Sequence, residues 1–425
     1  MAQKAIREAD GKRMIARLLP EYTDGAYTLE NRFISVGPDT DLSELPKQYD
    51  WLLKERLVVK PDQLVKRRGK NNLLLLNANW EDVRKWIEEK RNKPVTVSNV
   101  TGVIENFIIE PFVPHEESDE YYLAIISIRA GDEILFYHQG GVDVGDIDTK
   151  ACRLTVPVGE FPDANNIAEK LLTNVPAEHR DLITGYIKGL YKFYADLNYT
   201  YLEINPFVIL NNARVYPLDL AAKIDDTADF VSGNKWGDIV FPPPFGRVVS
   251  KEEAFVDELD SKTGSSLKLT VLNPEGRVWL MIAGGGASVI YADTITDLGY
   301  MHEMANYGEY SGDPNENFTY LYARTIIDLM TREKHEKGKT LIIGGGISNF
   351  TDVVSTFKGV IRAIKEYQEK LRDHNITIFV RRGGLNYKEG LRIMEELGTE
   401  IGVPIKVFGP ETHMTKIVPM AINTL

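Results

Sequence analysis

Along residues 340–371 the apolar positions change their period within a few residues. Thr340-Leu341-Ile342-Ile343 is a short, nearly continuous apolar run, the pattern of a buried strand. It leads into Gly344-Gly345-Gly346, where no Cβ hinders a sharp turn or a close approach to a ligand. From Phe350 the spacing becomes helical, with Val353, Val354, Phe357, Val360, Ile361, Ile364 and Leu371 on the same face. Asn349 fits an N-cap, and Asp352 then suits the positive end of the helix. Ser348, Asn349 and Thr351 would surround free amides there, which describes either an anion site or a plainly capped helix. A dinucleotide fingerprint is excluded, because its third glycine would fall at Asn349, and after Gly284-Gly285-Gly286 at Val289.

The same alternation runs through the second half of the chain. Runs 266–272 and 278–283 read as strands paired across Asn273-Pro274-Glu275-Gly276, and Gly284 to Gly286 open a helix. Residues 307–317 read as a polar loop. Then come a strand at 376–380, the turn Arg381-Arg382-Gly383-Gly384, a helix over 387–400 and a strand at 405–408. Strands alternating with helices predict a doubly wound parallel sheet, whose ligands lie beyond the strands' carboxyl ends. That rule gathers Ser348, Asn349, Thr351 and Arg382 on one edge, with 307–317 as a lid. A guanidinium beside a helix N-terminus favours a carboxylate or a phosphate.

In the first half, residues 1–19 read as an amphipathic helix with Ile6, Met14, Ile15, Leu18 and Leu19 inward. A strand at 57–61 carries Lys60 and precedes Arg67-Arg68-Gly69-Lys70, either a phosphate-facing pair of segments or a solvated basic loop. An apolar run at 73–76 and a helix over 80–90 follow. The strand at 107–114 is stopped by prolines, leaving the Glu110 carbonyl and Phe112 amide for an adenine edge. An acidic cluster at 116–120, a strand at 121–128, a glycine- and aspartate-rich turn at 140–146 and a helical stretch at 165–197 come next. Runs 201–210 and 215–224 form a hairpin about Asn211-Asn212-Ala213-Arg214. Symmetric closure puts Asn205 opposite Leu220, next to Asp219. With Glu203, these are hard oxygen donors suited to Mg²⁺ carried by nucleotide phosphates. Phe241-Pro242-Pro243-Pro244-Phe245-Gly246 marks a domain boundary. Lys262-Thr263-Gly264 lacks the Ser-x-x-Lys companion of a β-lactamase, and there is no P-loop.

Composition narrows the function classes. A chain of 425 residues with 43% apolar and 26% charged residues is an ordinary globular protein of about three domains or lobes. Fifty basic against 62 acidic residues leave a net charge of −12, which argues against nucleic acid as partner. The one cysteine, Cys152, excludes an internal disulfide and suits a reducing compartment. The charged first residues lack a signal peptide's apolar core, and no apolar run approaches the roughly 18 residues of a membrane span. The expected location is the cytoplasm.

Several runs resemble a known family. Ile109-Glu110-Pro111-Phe112-Val113-Pro114, residues 140–146, Tyr201-Leu202-Glu203-Ile204-Asn205-Pro206 and Leu218-Asp219-Leu220-Ala221-Ala222-Lys223 resemble the ATP-grasp half of succinyl-CoA synthetase β subunits. Residues 241–246, 305–312, 347–351, 379–384 and 411–415 are similar to the ATP citrate lyase family. The resemblance implies an ATP-grasp module of two lobes over 1–240, a proline-rich linker at 241–247, and a flavodoxin-like, CoA-ligase-type citrate-binding domain over 248–425. In that family ATP phosphorylates a histidine, the phosphate passes to citrate, and CoA displaces it to give citryl-CoA. A citrate-synthase-like domain then releases acetyl-CoA and oxaloacetate. By resemblance, Lys60, Arg68, Gly69, Pro111, Val113 and Glu120 line the nucleotide site, and Asn205 and Asp219 hold Mg²⁺. Asp260, Thr263 and Ser265 match a second metal position, and Gly312, Asn349, Thr351 and Arg382 hold citrate. None of the seven histidines lies in a glycine-flanked loop like the family's phosphorylated one. The expectation is therefore the smaller subunit of a two-chain enzyme, with CoA binding, phosphohistidine and cleavage on a larger partner. A citryl-CoA synthetase subunit, a succinyl-CoA synthetase β-like subunit and a non-catalytic nucleotide- or citrate-sensing subunit remain the alternatives.

Overall fold

In the computed structural model the described residues are 3–29, 32–65, 68–141, 147–210 and 214–425. The chain divides into two compact units, Met1–Val248 and Val249–Leu425, and residues 237–250 form no regular element. Among the described residues no helix is long and apolar enough to cross a membrane.

Among the described residues the first unit holds two main antiparallel sheets and a two-stranded one, Pro94–Val97 with Val100–Val103. The larger runs Gln3–Ile6, Leu220–Asp225, Tyr199–Leu210, Glu120–Ile128, Gly131–Tyr137, Cys152–Pro157, with Arg214–Pro217 beside Tyr199–Leu210. Alternate residues such as Leu123, Ile125, Leu202 and Ile204 turn to one face, where helices Glu8–Tyr22 and Ala177–Asp196 bury them. The second main sheet, Ile34–Val36, Phe107–Pro111, Leu57–Pro61, Leu75–Ala78, packs Val59 and Ile109 against Val83 and Ile87 of helix Trp80–Lys90. That helix has the expected bounds, and Asn79 caps it by accepting from the Asp82 amide.

Three local expectations change here. The first residues are not all helix: Gln3–Ile6 is an edge strand antiparallel to Leu220–Asp225, too short for its alternation to show. The helical stretch at 165–197 is two helices, Ala164–Leu171 and Ala177–Asp196, because Pro176 has no amide to continue a ladder. The hairpin turn, residues 211–213, lies outside the described residues, as do Arg67 and 142–146. Its register is one residue away from symmetric closure: Ile204 pairs with Leu220, and the Asn205 amide donates to the Asp219 carbonyl at 3.1 Å.

The second unit is a doubly wound sheet of the flavodoxin-like kind, ordered Ser266–Val271, Asn306–Ser311, Val278–Ala283, Lys339–Gly345, Ile376–Arg381, Ile405–Phe408. Only Ser266–Val271 is antiparallel to its neighbour. Leu341, Ile343, Ile378 and Val380 face helices Glu316–Met330, Val353–Glu366 and Tyr387–Ile401. Leu280, Ile282, Ile342 and Phe379 face the opposite layer, Gly285–Asp297 and Ile417–Ile422.

The expected hairpin of 266–272 with 278–283 is absent, since Asn306–Ser311 lies between them. The stretch at 307–317 is therefore mostly an inner strand and the start of helix Glu316–Met330, not a lid. Its polar composition hid it. The Asn306 side chain, fully buried, donates to the Leu280 carbonyl and accepts from the Leu280 amide, both at 2.8 Å, like a backbone unit.

Candidate functional site

The first unit concentrates charge where its two main sheets bring sequence-distant residues together. Lys60 is buried, and its ammonium donates to the Leu218 carbonyl at 2.6 Å and pairs with Glu110 at 3.3 Å. Arg68 donates to the Pro61 carbonyl at 2.8 Å and pairs with both Asp219 and Glu8. Glu8 and Lys12 were not expected here, because a Glu–Lys pair four apart on an amphipathic helix ordinarily marks its wet face. Instead both are buried. Glu8 Oε1 lies 2.6 Å from Lys60 and 2.9 Å from Lys12, close enough for ion pairing although neither contact has hydrogen-bond geometry. Lys12 also reaches Glu110 at 2.7 Å and the Leu218 carbonyl at 3.1 Å. Burial alone would raise the Glu8 carboxyl, but Lys12, Lys60 and Arg68 outweigh it and hold it well below the ordinary value. Burial likewise lowers Lys12, and Glu110 and Glu8 more than reverse that.

Asp62 borders this cluster. It is 2% exposed and accepts from the Ala9 amide at 3.3 Å, in the first turn of helix Glu8–Tyr22. Burial, with the charge of Glu8 adding to it, pushes its carboxyl from 3.8 up to about 6. A carboxyl raised on folding binds its proton more tightly in the native state. Its stabilising contribution is full below the unfolded value of 3.8 and is lost as pH rises through about 6. The ionised group thus costs roughly 2–3 kcal/mol at neutral pH. Asp62→Asn, which keeps an acceptor for Ala9, is expected to raise stability by about 1–3 kcal/mol near pH 7.5 and not at about pH 4. Urea unfolding at both pH values checks this, and an equal gain at both contradicts it.

The other expected nucleotide residues lie in the same unit. Gly69 opens a single turn, Gly69–Asn71. Pro111 ends the strand Phe107–Pro111. The Phe112 amide donates to the Arg56 carbonyl at 2.7 Å, so it is not free for an adenine edge. His115, which the sequence did not single out, bridges the Val113 carbonyl (Nδ1, 2.7 Å) and the Glu120 carboxylate (Nε2, 3.0 Å).

The two expected metal positions differ. Asn205 and Asp219 are neighbours through their backbone, and Asn205 Oδ1 accepts from the Gly141 amide at 2.8 Å. Asp219, paired with Arg68, keeps 40% of its side-chain surface open. Among the described residues no three His, Cys, Asp or Glu side chains form a metal cage. Two oxygen donors without a cage fit Mg²⁺ that brings waters and phosphates as its remaining ligands. The Asp260, Thr263 and Ser265 set does not fit. The Asp260 carboxylate accepts from the Leu267 amide at 2.7 Å and is neutralised by Lys268 at 2.5 Å. Thr263 Oγ1 accepts from the Ser265 amide, and Ser265 Oγ donates to the Gly312 carbonyl at 2.9 Å. These contacts lock a turn.

In the second unit, Gly312, Asn349, Thr351 and Arg382 line one cavity of about 290 Å³, with Gly284, Ala287 and Tyr310 among its other walls. The route to it differs from the expected one. Asn349 caps no helix: Asp352 does, accepting from the Ser355 amide at 3.1 Å, and the helix runs Val353–Glu366, with Leu371 in a separate helix, Gln368–Asp373. Two residue types satisfied the cap rule, and strand pairing chose between them. Ile347–Asp352 is a short strand parallel to Gly383–Leu385, so Phe350 points outward, 71% exposed. Gly384, at φ 123°, permits that pairing, since a Cβ there would lie 2.4 Å from the Ser348 carbonyl oxygen. The helix that lends its N-terminus to the cavity wall is Gly285–Asp297.

Arg382 is 3% exposed, and its Nε has no hydrogen-bond partner. Among the described residues no carboxylate pairs with it. Its Nη1 lies against Gly345, where an added Cβ would fall 2.2 Å away. The neighbouring Arg381 is the opposite case: its guanidinium donates to the carbonyls of Gly345 (2.9 Å), Thr412 (3.0 Å) and Pro410 (3.4 Å). The Tyr310 hydroxyl is also buried and unpartnered; burial raises its pKa while Arg382 pulls it down. Two buried donors without acceptors, facing a cavity beside a helix N-terminus, make a site for a small anion.

Residues 2–236 match the ATP-citrate synthase ATP-grasp domain and residues 247–424 the ATP citrate lyase citrate-binding domain. The first unit is thus an ATP-grasp module. The chain is 54% identical over 425 residues to ATP-citrate synthase of Bos taurus, covering all of this chain and 38% of that protein. It is 44% identical to the probable ATP-citrate synthase subunit 2 of Schizosaccharomyces pombe, covering 98% of it. A solved structure of ATP citrate lyase from Methanothrix soehngenii, in complex with citrate and coenzyme A, superposes with a TM-score of 0.92 at 52% identity, over 99% of this chain and 100% of that one. The two domains matched in sequence and the fold matched throughout agree: the chain belongs to the ATP-citrate synthase (ATP citrate lyase) family.

Proposed function

We propose that this chain is the smaller subunit of a two-chain ATP citrate lyase, binding Mg-ATP in residues 1–240 and citrate in residues 248–425, with 241–247 as linker. The observation that carries the reading is the cavity joining Gly312, Asn349, Thr351 and Arg382 around a buried guanidinium without a counter-ion. A tricarboxylate replaces several missing partners at once there: Arg382 grips one carboxylate, and Asn349, Thr351 and Tyr310 donate to others. In the first unit Lys60 and Arg68 contact the nucleotide phosphates, Gly69, Pro111, Val113 and Glu120 line the rest of that site, and Asn205 and Asp219 hold Mg²⁺. The bound ion would neutralise charge on the phosphates.

Phosphoryl transfer to citrate then runs through a histidine on the larger partner subunit, which also binds CoA and cleaves citryl-CoA. A relative named as subunit 2 and matched almost end to end supports the two-chain arrangement. The expected result is that the purified chain binds Mg-ATP and citrate but makes neither citryl-CoA nor acetyl-CoA until the partner is added. Calorimetry and a coupled acetyl-CoA assay test it. Unaided turnover of citrate and CoA refutes the two-chain reading, citryl-CoA without cleavage in the reconstituted pair favours a synthetase, and an absence of citrate binding refutes the function.

A further inference from the structure

We propose that Glu8 is a positioning residue of the nucleotide site, the buried counter-charge that holds Lys60 and Arg68 side by side. The inference rests on the nucleotide role proposed above for those two cations, and it gives the first helix a duty in the reaction. Three cations, Lys12, Lys60 and Arg68, converge on this one carboxylate, at 2.9, 2.6 and 2.6 Å. Glu110 and Asp219 add two more paired carboxylates, and Asp62 borders the set with no ion pair of its own among the described residues.

The three carboxylates are not equivalent. Asp219 keeps 40% of its side chain exposed and is the one a phosphate-borne metal ion would engage, while Glu110 keeps 18% and Glu8 only 3%. Glu8 therefore stays with the cations when Asp219 is drawn to a metal. The helix is fixed for this purpose: Asp62 accepts from the Ala9 amide, and Lys12, one turn on, shares the Leu218 carbonyl with Lys60. Without Glu8, Lys12 and Lys60 would share Glu110 alone and Arg68 would depend on Asp219, the carboxylate a metal would draw away, so the longest side chains would swing from their places.

Simple charge arithmetic and positioning predict opposite signs. Removing an anion near a phosphate site should tighten binding by Coulomb's law alone, whereas removing the residue that sets the cations' positions should weaken it. The full chain is titrated calorimetrically with Mg-ATP, adenosine and citrate in wild type, Glu8→Gln, Glu8→Asp and the double variant Glu8→Gln with Lys12→Met. Glu8→Gln is expected to weaken Mg-ATP by about tenfold or more, adenosine by less than about twofold, and citrate not at all. Glu8→Asp should fall between it and wild type. The double variant, which removes one charge of each sign, should recover most of the Mg-ATP affinity. Should Glu8→Gln fail to fold, Glu8→Asp, which keeps the charge and shortens its reach, carries the test, and wild-type Mg-ATP affinity in it overturns the proposal. Unchanged or tighter Mg-ATP binding by Glu8→Gln overturns it, as does an equal loss for Mg-ATP and adenosine, which marks a merely structural residue. A wild type that binds no Mg-ATP refutes the nucleotide assignment and this proposal with it.

Discussion

Arg382→Met is expected to weaken citrate binding by about a hundredfold or more while leaving the ligand-free chain as stable as wild type or more so. A guanidinium 3% exposed, with an unpartnered Nε and no carboxylate beside it, is a burden on the folded chain in the absence of an anion. Methionine preserves the stem and removes the buried charge, so unfolding free energy should stay level or rise by about 1–3 kcal/mol. Citrate affinity should fall by about 3–5 kcal/mol, the loss of two charge-assisted hydrogen bonds. Arg382→Lys keeps the charge without the planar fork and should weaken citrate by about 1.5–3 kcal/mol, with Thr351→Ala in the same range. Arg381→Met is the control with the opposite sign: three carbonyls lose their donor, so stability drops. Urea unfolding without ligand and calorimetry with citrate, succinate and Mg-ATP read all four variants. Succinate binding as well as citrate, or Arg382→Met binding citrate normally, places the carboxylate site elsewhere.

Lys60→Met should lower the unfolding free energy by about 3–5 kcal/mol, the cost of removing one partner from a buried ionic group. The ammonium it deletes meets the Leu218 carbonyl, Glu8 and Glu110, and Glu8 is the least exposed of the carboxylates in the cluster. The loss has a pH signature. The folded-state pKa of Glu8 is depressed, so its contribution is present above the unfolded value of 4.5 and is lost as pH falls through the folded value. Without Lys60 the depression is smaller. The stability gap between wild type and variant should therefore be widest near neutrality and narrow in acid. Mg-ATP affinity, measured where both proteins are folded, should fall as well, with citrate affinity unchanged. A variant with wild-type stability at neutral pH contradicts the ion cluster as the source of Lys60's burial.

Both predictions use contacts of different legibility in the sequence. The helix Trp80–Lys90 and the strands Leu57–Pro61 and Ile405–Phe408 are readable from hydrophobic period and flanking residues, because those signals are local. Arg382 was placed with Thr351 and Asn349 by a rule of topology, that parallel sheets bind ligands beyond their strands' carboxyl ends. That rule holds whichever residue caps the following helix, and so the site survives the change of cap from Asn349 to Asp352.

What the sequence could not carry is whatever depends on a partner far along the chain. Asn306–Ser311 is polar enough to read as a loop, and it is a strand because its neighbours on both sides supply hydrogen bonds to its amide and backbone. The hairpin ending at Leu210 is one residue out of symmetric closure, and period-two alternation alone leaves such a slip undecided. The charge cluster draws Glu8, Lys60, Glu110 and Asp219 from four separate segments. By itself, then, the sequence determined the two kinds of architecture and brought Gly312, Asn349, Thr351 and Arg382 to the anion cavity, through local period, turn chemistry and family motifs. The tertiary structure decided which polar residues are buried and against what, since the cost of burying a charge is met only by a counter-charge that the fold, not the neighbouring sequence, brings within reach.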